Sequence, residues 1–171
     1  MNKYYLLTIV GFFTLSLTFQ SCSKDEDPAP EEFIANNDTF KNFASWTLGG
    51  ELQGADPSLG GAHGGNDSTV TRSVYFKNNV VPISSLYPVG SVVVKYSHNT
   101  AGDLNEYTAL VKRGNNFNPA GNNWEYFMLS GDGQIAMDGD GNEMRGANLL
   151  NGMCIDCHTS TKSSDYIFTQ R

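Results

Sequence analysis

Four short runs rich in Val, Thr, Tyr and Phe occupy the middle of this chain and leave it few folds to choose from: residues 69–76, 91–97, 106–112 and 124–129. β-Branched and aromatic side chains fit a pleated, half-buried surface, so each run reads as a strand. Residues 98–105, with Gly102-Asp103, read as a hairpin loop, and residues 117–123 as the next connection. Asp132-Gly133 and Asp138-Gly139-Asp140-Gly141 mark further turns. The second lacks the spacing and terminal Glu of a calcium loop, so a hairpin turn is the better reading. Two helices are expected. Residues 38–46 carry Phe40, Phe43 and Trp46 at intervals of three, with Thr39 as the cap, and residues 146–157 carry Leu149, Leu150 and Met153. The expected fold is mainly β (α+β): an antiparallel sheet flanked by short helices.

The second expected helix delivers Cys154-Ile155-Asp156-Cys157-His158. This is Cys-x-x-Cys-His, the attachment pattern of c-type haem. Two thiols at this spacing can add to the two vinyl groups of one haem, and the adjacent His reaches the iron. Other uses of the pattern fit less well. A zinc site needs a further ligand pair, and only His63, His98 and Cys22 remain. A thioredoxin-like dithiol expects a βαβ context that the preceding residues do not offer. The expectation is one haem c per chain, with Cys154 and Cys157 as cofactor-binding residues and His158 as the metal ligand. An open position on the other face of the iron suits ligand chemistry, whereas a second strong axial ligand suits electron transfer. His63, in Gly60-Gly-Ala-His-Gly-Gly65, and His98 read as solvated loop residues. Met128, Met137, Met144 and Met153 read as core or surface.

The N-terminus reads as an export signal. Lys3 precedes an apolar run at residues 6–19, too short to span a membrane comfortably, and Gln20-Ser21-Cys22 follows. This resembles a bacterial lipoprotein signal in which Cys22 becomes the lipidated first residue; the alternative is an ordinary secretory signal with an incidental cysteine. Residues 22–38 are polar, acidic and Pro-containing, and read as a flexible tether. Residues 39–171 then form a single domain, long enough for one core. The expected location is outside the cytoplasm, membrane-anchored, in the periplasm or at the cell surface. Without residues 1–21 the chain has 10 basic and 18 acidic residues, a formal charge of −8. Nucleic acid and anionic membrane surfaces are therefore poor electrostatic partners.

Several motifs follow one another in a specific order: Trp46, Arg72-Ser-Val-Tyr75, Gly90-Ser-Val-Val-Val-Lys95, Ala109-Leu-Val-Lys112, Trp124-Glu-Tyr-Phe127, Cys154-x-x-Cys-His158 and Asp165-Tyr-Ile-Phe168. Over residues 40–171 the set resembles the cytochrome P-460 and cytochrome c′-beta family. The resemblance implies a β-rich, often homodimeric mono-haem protein with five-coordinate iron and an open distal site. It implies a small nitrogenous ligand or substrate and a redox partner protein. Cytochromes P-460 oxidise hydroxylamine and carry an extra lysine–haem bond; the c′-beta members lack that bond and bind nitric oxide beside apolar residues. Lys95 matches the cross-linking lysine, although the strand pattern alone also allows a solvated edge charge. Thr108 falls where the family has its proton-accepting acid, and a hydroxyl cannot serve as that base. Glu106, two residues earlier and on the same strand face, is the candidate substitute, or else a solvent-facing strand-end charge. Arg72 matches a family arginine that could pair with a propionate or a distal ligand; its alternative is a surface strand charge. Tyr75, Phe76, Tyr126 and Phe127 supply aromatics for the distal face or the core.

Overall fold

The computed structural model describes residues 31–169; the expected signal segment and Cys22 lie outside the described residues. Six strands form one antiparallel sheet in sequence order: β1 (Thr47–Gln53), β2 (Thr71–Phe76), β3 (Val92–His98), β4 (Asn105–Lys112), β5 (Trp124–Leu129) and β6 (Arg145–Gly146). The four expected strands are β2 to β5, displaced by no more than two residues at any end. β1 was not expected. It contains Gly49-Gly50, which weakens a strand signal, and it carries a register shift between Leu48 and Gly50 at the sheet edge. β6 is two residues long and held by pairing to Tyr126 and Phe127. Asp138 closes the turn before it, its Oδ1 accepting from the backbone N–H of Asp140 and Asn142 at 2.9 and 2.8 Å.

Alternation gives the sheet two apolar faces. Val92, Val94, Ala109, Val111, Phe127 and Leu129 form one, covered by Phe40, Phe43 and Ile135. Val74, Phe76, Val93, Leu110, Trp124 and Tyr126 form the other, covered by Leu149, Cys154, Ile155, Tyr166 and Ile167. Burial of both faces explains the long Val and aromatic runs.

The helices differ from expectation. Residues 38–46 form two 3₁₀ turns, Asn37–Phe40 and Phe43–Ser45, separated by Asn42 in the left-handed region at φ 57°. Asn36, not Thr39, is the cap: its side chain accepts from Thr39 N–H, and Thr39 Oγ1 accepts in return from Asn36 N–H. Residues 146–157 are also not one helix. Leu150 and Asn151 are left-handed, so only a 3₁₀ turn, Leu149–Gly152, precedes a six-residue helix, α1 (Met153–His158). The domain also starts earlier than residue 39. Glu32 pairs with Gly114, Phe33 N–H donates to Arg113 O at 2.8 Å, and Ala35 is buried, so the described part of the expected tether belongs to the fold. Among the described residues no helix is long and apolar enough to cross a membrane.

Candidate haem site

α1 places Cys154 and Cys157 three residues apart, on one face of the helix, both half-buried and unbridged. Gly152 starts the helix at φ 87°, a conformation that favours glycine. His158 ends it and is buried at 8% exposure. Its Nδ1–H donates to Tyr166 O at 2.6 Å. That bond fixes the tautomer and leaves Nε2 with a free lone pair, the state required of a metal ligand. Burial pushes the ring's pKa down to about 4, against the Tyr166 bond, so the imidazole is neutral at neutral pH. Tyr126 and Phe168 meet it edge-on, at centroid distances of 5.5 and 5.2 Å.

Tyr166 is held by its neighbour. Asp165 is buried and accepts from Lys112 Nζ on both oxygens at 2.8 Å, from Tyr87 N–H at 2.7 Å and from Asn122 Nδ2 at 2.6 Å. Trp124 Nε1 donates to Asp165 O at 2.7 Å. Asp165 and Tyr166 both have positive φ, 50° and 64°, a conformation that persists only where surrounding contacts enforce it.

A cavity of about 390 Å³ opens beside α1. Cys154, Cys157 and His158 line one side of it. Glu106, Thr108, Leu110, Tyr126 and Met128 line the sheet side, and Leu59, Ala62 and His63 close it. The volume is in the range of cofactor pockets, and most of the wall is apolar. Two thiols on one helix face, an imidazole with Nε2 free and an apolar cavity form a donor set that fits a haem attached through this motif. Among the described residues no group of three or more His, Cys, Asp or Glu is placed to hold a metal ion by itself. Tyr126 is 2% exposed and its hydroxyl has no hydrogen-bond partner among the described residues, as expected of a wall that contacts a polar group of a bound molecule.

Lys95 is half-buried at mid-sheet, opposite Val74 on one side and Thr108 on the other. It is not a solvated edge charge. With Val93, Leu110, His158 and Phe168 it lines a second cavity of about 40 Å³. Burial pushes its ammonium down to about 8, partly opposed by Glu106 and helped by Arg72. Glu106 and Thr108 face the main cavity together, as their spacing on β4 requires. Glu106 is not a solvent-facing strand end: its carboxylate accepts the Nδ1–H of His63. Burial raises the Glu106 pKa, but His63 and Lys95 outweigh it and hold the group below its ordinary value.

Arg72 is not a surface strand charge. It is buried at 3% exposure and donates to His63 O at 2.8 Å, Gly64 O at 3.0 Å and Gly54 O at 3.1 Å, so it staples a loop. That loop carries His63, which was expected to be solvated. The only sequence signal for it was the glycine context of Gly60-Gly-Ala-His-Gly-Gly65. A Cβ on Gly65 would lie 2.6 Å from Gly60 O and 2.7 Å from Leu59 Cβ, so the close packing of the loop excludes any side chain there. Burial pushes the His63 pKa down, against the Glu106 bond. His98 stacks on Tyr96 and does not line the cavity. Tyr75 and Phe127 pack with the opposite core, while Phe76 and Tyr126 lie on the α1 side.

Comparison with known families matches residues 63–169 to Cytochrome P460, a span covering β2 to β6, α1 and the C-terminal segment, with His63 as its first residue. Searches of curated proteins and of solved structures found no significant match. The match covers more than half of the chain and contains the haem motif, His63, Arg72, Lys95, Glu106, Thr108 and the C-terminal segment; the chain belongs to the cytochrome P460 family, a family of haem proteins.

Proposed function

We propose that this protein is a c-type mono-haem protein whose iron is open opposite His158 and takes a small nitrogenous ligand, hydroxylamine in preference to nitric oxide. The observation that carries this reading is the His63–Glu106 pair in the wall of the cavity that Cys154, Cys157 and His158 also line. A polar, proton-accepting pair suits a protic ligand, whereas a nitric oxide site needs only apolar walls.

In this reading Cys154 and Cys157 hold the haem by thioether bonds and His158 presents Nε2 to the iron. The bound haem supplies a metal centre that takes up the ligand and exchanges electrons. Tyr166 O keeps the His158 ring in one tautomer. Leu110, Met128 and Leu59 exclude water, and Lys95, which shares the smaller cavity with His158, would be the residue that bonds to the haem. A redox partner protein would accept the electrons. Export with lipid attachment at Cys22 and homodimer formation belong to the same proposal.

The test is the optical and electron paramagnetic resonance spectrum of purified ferric protein. High-spin, five-coordinate iron that shifts on hydroxylamine addition is expected. Low-spin, six-coordinate iron would replace this reading with an electron-transfer cytochrome. One observation favours that second reading: His63 has its Nδ1 engaged and its Nε2 without a partner among the described residues, as a second axial ligand would.

A further inference from the structure

Loop 59–65 is built to hold one imidazole against the cavity. His63 has a left-handed backbone, φ 53°, which a non-glycine residue adopts only where contacts enforce it. Arg72 enforces it from below through the carbonyls of His63 and Gly64. Close packing enforces it from the side, because a Cβ on Gly64 would lie 2.5 Å from Leu104 Cδ2. Glu106 then fixes the ring through Nδ1–H. Leu59, Ala62, Leu110 and Met128 line the cavity beside Thr108, and Lys95 and Arg72 are the cations that act on His63. An imidazole with Nδ1–H on a carboxylate has its basic lone pair at Nε2, and the carboxylate stabilises the imidazolium that forms when Nε2 takes a proton.

We infer that His63, not Glu106, is the proton acceptor for a protic ligand entering the haem cavity, and that Glu106 is its positioning residue. This deepens the proposed function and rests on its open iron position. It differs from the sequence expectation, in which Glu106 acted directly. The proton step is balanced without a redox partner. Hydrogen cyanide, protonated at neutral pH, serves as the probe. Its H–C bond breaks, the proton forms an N–H bond at His63 Nε2, and the C–H electron pair stays on the cyanide carbon that binds the iron. The imidazolium is neutralised by the Glu106 carboxylate. Nitric oxide binds without releasing a proton and is the internal control.

The experiment is stopped-flow binding of cyanide and of nitric oxide to the haem-loaded protein and its variants. His63→Asn keeps a residue that tolerates the left-handed backbone. It is expected to slow cyanide association by about 10²-fold, the usual range for loss of a positioned base, and to leave nitric oxide association within about twofold. Glu106→Gln keeps an acceptor for Nδ1–H and is expected to lose less than Glu106→Ala. An unchanged cyanide rate in His63→Asn overturns the inference, and equal losses in the two Glu106 variants overturn the positioning role. Low-spin wild-type iron that becomes high-spin in His63→Asn would make His63 an axial ligand and also overturn it. Wild-type protein that takes up neither probe would remove the open-site reading itself, and this inference with it.

Discussion

Replacing Asp165 tests whether the C-terminal segment is what holds His158 in place. In Asp165→Asn the side-chain volume is kept and the charge is lost. Lys112 is then a buried ammonium, 6% exposed in the side chain, left with one neutral amide oxygen and the Trp124 ring at 4.9 Å. Removing one partner of a buried ion pair costs roughly 3–5 kcal/mol, and a cation–π contact offsets roughly 0.5–2 kcal/mol of that. The reverse change, Lys112→Met, leaves the carboxylate with Tyr87 N–H and Asn122 Nδ2 as donors. Its cost should therefore be nearer that of a lost hydrogen bond to a charged group, roughly 1.5–3 kcal/mol. Urea unfolding of the haem-loaded wild type, both single variants and the double variant gives the cycle. Asp165→Asn should be the more destabilised single variant, with a thermal midpoint lower by roughly 10 °C, and the double variant should recover part of the loss. The visible spectrum of Asp165→Asn should also change, because only the Trp124 bond to the main-chain oxygen of residue 165 then holds the neighbour of Tyr166 at full strength. A loss smaller than that of Lys112→Met, or an unaltered spectrum, would refute this account of the segment.

Three further outcomes are expected. Haem should stay on the chain through denaturing electrophoresis, and His158→Ala should alter iron ligation in the spectrum while the thioether colour persists. If Lys95 bonds to the haem, reduced protein should absorb at an unusually long Soret wavelength and Lys95→Ala should return an ordinary c-type spectrum. A neutral amine is the nucleophile; as the C–N bond forms, a haem C–H and an amine N–H are lost with two electrons passing to an added two-electron oxidant. With an ammonium pKa of about 8 the neutral fraction rises from roughly a tenth at pH 7 to roughly nine-tenths at pH 9, so bond formation during reconstitution with that oxidant should accelerate over that interval. Gly65→Ala should displace loop 59–65, because its Cβ meets backbone at 2.6 Å, and should slow cyanide association in the same direction as His63→Asn while leaving haem attachment intact.

The sheet's core strands and the haem motif were legible because their signals are local. A run such as Ser91-Val-Val-Val reads as a strand wherever it lies, and Cys-x-x-Cys-His carries its spacing with it. β1 was not legible, since Gly49-Gly50 hides an edge strand whose pairing to β2 alone defines it. His63 was missed for a different reason. Glycines around a histidine look like a mobile loop, and only the tertiary contacts of Arg72 and Glu106 turn that loop into a fixed wall. Arg72 was read from its strand as a surface charge or a propionate partner, but its three carbonyl acceptors come from residues 54–64, distant in sequence from anything that suggests them. The C-terminal helix carrying the haem motif is present but shorter than expected, and residues 38–46 form 3₁₀ turns, because spacing of apolar residues does not report left-handed breaks at Asn42, Leu150 and Asn151.

The sheet order also has a temporal meaning. All five strand pairings join neighbours in the chain, so the sheet can zip up one hairpin at a time as residues emerge. The haem motif comes after every strand, and the carbonyl that orients its histidine comes eight residues later still. Asp165 docks by reaching back 53 residues to Lys112 and 41 to Trp124, onto a face that is already laid down. The prosthetic group's protein ligand is thus the last part of the domain to be set. A chain stopped just short of Asp165 would carry both thiols and the imidazole on a complete sheet, with nothing to aim the ring.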